Sequence, residues 1–210
     1  MLTLDQLLAF LLAASLITMS PGPDNLMVLS LGMSRGRKQG MAFGLGCALG
    51  CLSHTLLAVV GVSSLLVASP VAFAALRIGG GAYLFWLGVQ ALRSRGGVRV
   101  PTNTTDAPVQ SALQLLWRGV LANAINPKVM LFFLAFLPQF VVSSQGDVPW
   151  QLAQLGVAFT VQAALLFGVL GYFAGTVGQW FARWPRVALW FDRLAGAIFC
   201  SLGLRLIIQL

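Results

Sequence analysis

The sequence predicts an all-α integral membrane protein of six transmembrane helices, laid out as two inverted three-helix repeats in which helices 1 and 4 are broken. Three observations predict it. The 210 residues are 58% hydrophobic and 9% charged, with no glutamate, whereas a soluble domain carries roughly 25% charged residues, and the mean hydropathy is +0.87. Apolar segments lie at about 4 to 31, 41 to 67, 72 to 92, 117 to 141, 150 to 179 and 188 to 208, each longer than the ~20 helical residues that cross ~30 Å of hydrocarbon. The first helix of each half carries a proline break, Pro21-Gly22-Pro23 in helix 1 and Asn126-Pro127-Lys128 in helix 4. Strands of a membrane barrel would alternate over ~10 residues instead, and no such alternation is present.

Helix 1 opens on MLTLDQLL, acidic rather than basic, so it reads as a retained span and not as a signal peptide. At 100 degrees per residue, helix 2 gathers Gly40, Gly44, Cys47, Cys51, His54, Ala58 and Gly61 into one stripe, and small residues of this kind let another backbone approach. His54, the single histidine, changes charge near neutral pH and is a candidate proton carrier or substrate ligand. A neutral histidine satisfied by a neighbouring hydroxyl or carbonyl is the alternative. Helix 3 sets Arg77, Gly81 and Gly88 on one face, with Arg77 close enough to the outer end to snorkel. Residues 94–116 form a polar linker between a first repeat, 1–93, and a second, 117–210, within a single transmembrane domain over 1–210. Its Asn103-Thr104-Thr105 has a glycosylation pattern that a cytoplasmic loop would never use. In helix 6, Asp192 beside Arg193 fits a salt bridge or interfacial anchor. The three cysteines, Cys47, Cys51 and Cys200, read as small buried residues and not as a disulfide framework.

Charge sets the orientation. Arg35, Arg37 and Lys38 follow helix 1; Arg93, Arg95, Arg99 and Arg118 flank the linker; Arg183, Arg186 and Arg193 flank the loop after helix 5. Ten of the 13 basic residues thus lie on one side, which the positive-inside rule assigns to the cytoplasm, leaving both termini periplasmic. The net charge of +8 is therefore a topology signal, and no nucleic-acid partner is expected.

The two breaks carry the chemistry. Pro23 is 12 residues from Arg35, roughly 18 Å of helix, and Pro127 is roughly 14 Å from Arg118 on the same basis, so both lie near mid-membrane. Three helices per half make the second half run opposite to the first, the pattern in which paired discontinuous helices build a midplane substrate site. Each proline removes an N–H and blocks a carbonyl one turn back, at a depth where every unpaired group costs several kcal/mol. The half-helix restarting at Pro23 points free N–H groups and its positive dipole end at whatever lies there, which suits a carboxylate. Asp24 at that depth costs on the order of 2.5–3.5 kcal/mol unless protonated, paired or solvated, and Lys128 either pairs with an acid such as Asp24 or binds a substrate carboxylate. Packing kinks, with Asp24 capping its own half-helix, are the alternative.

SPGPDNLMVLSLGMSRGRKQGMAFGLGCALG, LRIGGGAYLFWLGVQALRS, GVLANAINPKVMLF with FLAFLPQF, and FDRLAGAIFCSLGLRLI follow one another in order from helix 1 to helix 6. In these stretches the chain resembles the LysE/RhtB family of bacterial amino-acid exporters. The resemblance implies a six-helix carrier of the bacterial inner membrane that exports amino acids or close derivatives, by exchange with protons. By position, the family's helix-1 signature falls on Pro21, Gly22, Pro23, Asp24 and Asn25, and its helix-4 signature on Asn123, Asn126, Pro127 and Lys128. Substrate and coupling contacts are thus expected from these residues and His54, with an amino acid, protons and the bilayer as partners. No cofactor is expected, because the chain has no HExxH, Gly-rich phosphate loop or nucleophile elbow. Small-residue stripes fit packing between subunits as well as within the bundle, leaving a homo-oligomer open. The rival class is a six-helix thiol–disulfide oxidoreductase, which would need cysteines at the breaks.

Overall fold

The computed structural model describes residues 2–20, 22–94, 110–183 and 185–208. Pro21 and most of the polar linker, with Asn103-Thr104-Thr105, lie outside the described residues. Those described are helical wherever they are regular, and no strand occurs among them.

The first broken unit is α1 (Leu4–Met19) followed by α2 (Pro23–Ser34), bent by 60°. Then come α3 (Arg37–Leu57), a π-helical stretch Ala58–Val62 and α4 (Ser63–Ala68), and after Ser69 the long α5 (Pro70–Leu92). The second broken unit is α6 (Ala112–Ala124) and α7 (Pro127–Leu131), continued by π and 3-10 turns to Phe140 and bent by 51°. The chain ends with α8 (Val148–Tyr172), α9 (Ala174–Arg183) and α10 (Pro185–Ile208). Among the described residues three helices are long and apolar enough to cross a membrane, Arg37–Leu65, Val71–Leu92 and Val148–Tyr172, and each bent pair adds one more, giving up to five. The sixth expected segment, α10, has 24 residues but carries Arg186, Asp192, Arg193 and Arg205.

Two boundaries differ from the apolar pattern, each for a local reason. Helix α6 starts at Ala112, upstream of the apolar stretch at 117, because Ser111 and Gln114 form a reciprocal capping box. Thr3 and Gln6 do the same at the start of α1. The apolar run 150 to 179 is not one helix: it breaks at Phe173, and α9 leaves α8 to lie against α2, where Gly32 faces Ala174 and Gly178 faces Met33.

Close backbone approach organises the bundle. Helix α3 packs between α6 and α8, and α5 packs along α10. A Cβ on Gly46 would strike the carbonyl of Leu116, and one on Gly119 the carbonyl of Phe43, so α3 and α6 touch through their backbones. Between α5 and α10 the approach is reciprocal. A Cβ on Gly81 would lie 2.8 Å from the Gly203 carbonyl and one on Gly203 2.5 Å from the Gly81 carbonyl, and Gly88 and Gly196 stand in the same relation at 2.7 Å each way. The helix-2 stripe faces the bundle through Gly40, Gly44, Cys47, Cys51, His54 and Ala58, but Gly61 is exposed with nothing near its Cβ position. The extra residue of the π turn shifts the register there, so the 100-degree projection no longer holds.

Gly50 is where packing controls the site, since its Cβ would lie 2.8 Å from both the Asn123 Cβ and the Val120 carbonyl. Gly50→Val is expected to lower stability by about 1–3 kcal/mol through overpacking and to shift Asn123. A fall in melting temperature of the purified protein, together with lost activity, checks this.

Candidate functional site

Both breaks expose backbone groups, and side chains of the breaks and of α3 satisfy them. Pro127 cannot donate to the carbonyl of Asn123, four residues earlier. That carbonyl instead accepts the Asn126 N–H at 2.8 Å and lies 2.9 Å from His54 Nε2. At the first break, Asn25 Nδ2 donates to the carbonyls of Thr18 (2.9 Å) and Ser20 (3.2 Å). The Lys128 ammonium crosses from the second break to donate to the Ser20 carbonyl at 3.0 Å and to Ser20 Oγ at 3.2 Å. In the other direction, Asn123 Nδ2 and Asn126 Nδ2 both donate to Asp24 Oδ2, at 2.9 and 3.0 Å. Breaks at residues about a hundred positions apart are thus cross-braced by two sets of polar bonds.

The two restarted half-helices differ at their N-termini. Asn126 caps α7, its Oδ1 accepting from the Lys128 N–H at 3.0 Å. Gly22 precedes α2 without any side-chain cap, and Pro23 takes the first helical position. Asp24 does not cap its own half-helix, because its carboxylate is turned to the asparagines of the other break. The α2 N-terminus therefore keeps its N–H groups for the cavity beside it.

Asp24 is 6% exposed, Asn123 1%, Asn126 7% and His54 fully buried. Gly22, Asp24, Asn25, Asn123, Asn126 and Lys128 line a cavity closed by Phe159 and Phe167, with about 20 Å³ of free room. That holds one water and no amino acid. The Lys128 ammonium also stands 5.4 Å above the Phe199 ring, a cation–π contact, and a Cβ on Gly22 would come within 3.2 Å of it. A second chamber of about 330 Å³ lies on the far side of Gly22, Asn126 and Lys128, which line both spaces.

The structure brings together nine of the ten residues singled out in the sequence: Gly22, Pro23, Asp24, Asn25, His54, Asn123, Asn126, Pro127 and Lys128. The tenth, Pro21, lies outside the described residues. The expectation that Lys128 pairs with an acid such as Asp24 is met by a different arrangement, since its hydrogen bonds go to Ser20. Ser20 and Phe199 were missed as partners. Ser20 stands inside the break motif and was legible as a polar group at mid-membrane; Phe199 sits in an apolar run and had no signal. Arg77 Nη2 reaches the carbonyl of Leu206 at 3.4 Å, a tie between α5 and α10.

The family described as LysE type translocator matches residues 15–210. This chain belongs to that family. The translocator is 31% identical over 205 residues to the homoserine/homoserine lactone efflux protein of Salmonella typhi, covering 96% of each chain. It is 31% identical over 201 residues to the threonine efflux protein of Escherichia coli K12, covering 91% of this chain and 92% of that one. A membrane protein of Vibrio cholerae without an assigned function is 32% identical over 200 residues, 95% of each chain. No solved structure matches. Membership in a translocator family makes the chain a transporter and not an enzyme, and it leaves the thiol–disulfide alternative without support. The cysteines agree with this: Cys47 and Cys51 are free and buried on the same face of α3, where Cys51 Sγ approaches Asn123 Oδ1 at 3.4 Å, and Cys200 lies on α10. Among the described residues no group of His, Cys or Asp side chains could hold a metal.

In this translocator, His54 gives a second partner to the Asn123 carbonyl, which Pro127 cannot serve. His54→Ala is expected to cost about 1–3 kcal/mol, the penalty of a buried acceptor left with one bond fewer, while His54→Gln, which keeps a donor, recovers most of it. Thermal melting of the two variants checks this, and equal losses in both would point to the ring itself.

Proposed function

We propose that this chain exports a small amino acid from the cytoplasm in exchange for protons, and that the cross-braced breaks are its substrate site. The observation carrying this is the pair of opposite charges at one depth, Asp24 held by Asn123 and Asn126, and Lys128 held by Ser20. A zwitterion presents two charges of opposite sign. Lys128 and the uncapped N–H groups of α2 take its carboxylate, and Asp24 takes its ammonium or, in the empty carrier, a proton. Asn25, Asn126 and His54 complete the polar lining. The efflux relatives named for homoserine and threonine support a small hydroxylated amino acid as the substrate class.

The same proposal includes six spans as two inverted repeats in the bacterial inner membrane, with both termini periplasmic. Support comes from the packing: α5 against α10 and α3 against α8 are self-paired, as a two-fold axis in the membrane plane requires, and the contact of α3 with α6 has its counterpart in that of α8 with α1 and α2. Arg186 and Arg205 lie near the ends of α10 and Asp192 with Arg193 about a third of the way along it, and its 24 residues make roughly 36 Å of helix, long enough for a sixth span. In this orientation the cluster of Phe10, Phe132, Phe136, Phe140 and Phe159, with ring centroids 5.1–6.5 Å apart, closes the periplasmic side. The 330 Å³ chamber, with Ser94 and Asp192 in its lining, would then open toward the cytoplasm. Rocking of the halves would open the phenylalanine side and release the substrate outward.

Proteoliposomes preloaded with labelled amino acids, under an imposed pH gradient, test the reading. Gradient-dependent efflux of one or a few amino acids is the expected result. Efflux of none would remove the exporter assignment.

A further inference from the structure

We propose that the chamber between α5, α10 and the two breaks is a second amino-acid site, which receives the substrate from the cytoplasm, and that Asp192 is its ammonium ligand. This rests on the exporter reading above and adds to it a site outside the breaks.

The sequence read Asp192 as an anchor or salt-bridge partner. In the structure it is half-buried and lines the chamber. Its Oδ2 accepts from Ser94 Oγ at 2.6 Å, and among the described residues nothing donates to Oδ1. A carboxylate that lines a chamber and is held by one short bond has an oxygen left with which to accept from a cationic ligand.

The opposite end of the chamber is Lys128. Phe199, which carries the Lys128 ammonium over its ring, is seven residues beyond Asp192 on α10 and so on the same helix face, roughly 10 Å along the axis. A zwitterion has the reach for a separation of that order. Charge-assisted hydrogen bonds of ~2.8 Å at each end, plus roughly 3 Å from ammonium nitrogen to carboxylate oxygen within the molecule, add to about 9 Å. The chamber's volume of about 330 Å³ falls in the range of small-molecule sites. Tyr83, Leu87 and Gln90 share a face of α5 along its wall, offering a hydroxyl, an apolar surface and an amide to the substrate side chain.

The arrangement also states a direction. With its ammonium at Asp192, the molecule presents its carboxylate inward to Lys128. There it competes with Ser20, whose two bonds to the Lys128 ammonium form part of the partition between chamber and inner cavity. Substrate arrival thereby loosens the contact that keeps the two spaces apart.

Uptake into everted membrane vesicles, which present the cytoplasmic face, tests this. The probe is the fastest-moving member of a labelled amino-acid panel containing threonine and homoserine. Asp192→Asn is expected to raise KM at least tenfold with kcat within threefold, and Asp192→Glu to recover most of the affinity. As a check that leaves Asp192 in place, Gln90→Cys in a Cys200→Ser background is expected to react with a maleimide several-fold more slowly at saturating probe. An unchanged KM in Asp192→Asn, or maleimide labelling indifferent to the probe, would overturn the chamber site while leaving the exporter reading intact. Wild-type vesicles that take up no member of the panel would remove the exporter reading, and the chamber site with it.

Discussion

Asp24→Asn is expected to abolish efflux, with a loss of at least 100-fold, while the protein stays folded and reaches the membrane at normal levels. The carboxylate accepts two amide hydrogen bonds on one oxygen, and bonds to a charged acceptor are worth about 1.5–3 kcal/mol each. The asparagine is the same size, so the packing survives. Its Oδ1 keeps both bonds as neutral ones, each weaker by about 1–1.5 kcal/mol, and it removes a charge whose burial in a membrane span costs on the order of 2.5–3.5 kcal/mol, so the two changes offset and the melting temperature should hold. Lost transport in a protein at least as stable as wild type distinguishes a functional acid from a structural one. If the break were only a packing kink, the variant would transport normally.

Lys128→Met is expected to raise the KM for substrate at least 30-fold while leaving the bundle assembled. Methionine has similar length and rests well against an aromatic ring, so the contact with Phe199 persists without charge. What disappears is the ammonium shared by the Ser20 carbonyl and hydroxyl, the one cation at the cavity available to a carboxylate among the residues that line it. Lys128→Arg should not restore affinity, because a planar guanidinium fork is not a compact ammonium. The space is also tight, with only 3.2 Å between the ammonium and the Cβ position of Gly22. Concentration dependence of uptake in everted vesicles measures both variants.

The breaks were legible in the sequence because proline and charge at mid-membrane violate the rules that the rest of each helix obeys. The partners within the site were less so. Asn126 stood at the second break and Asn123 only in the family resemblance, and the sequence held no sign that they would aim at Asp24 or that Lys128 would turn to Ser20. Side-chain direction across two halves depends on how closely α3 and α6 approach, and Gly46, Gly50 and Gly119, which set that approach, lay off the stripe that periodicity selected. Periodicity also assumed a uniform 100 degrees per residue, which the π turn at Ala58–Val62 breaks. The separation of α9 from α8 was hidden because its first residues continue the apolar run. What ends α8 is contact with α2, a long-range fact.

One substrate molecule bridging the two breaks would couple Asp24 to Lys128 in binding, and a double-mutant cycle measures that coupling. Equilibrium binding of a labelled, transported amino acid would be measured on purified wild type, Asp24→Asn, Lys128→Met and the double variant. Each single change should weaken binding at least tenfold, and the double variant should bind little worse than either, with a coupling above roughly 1 kcal/mol, because both ends of one ligand are involved. Additive losses, or binding unchanged in the single variants, would contradict the claim.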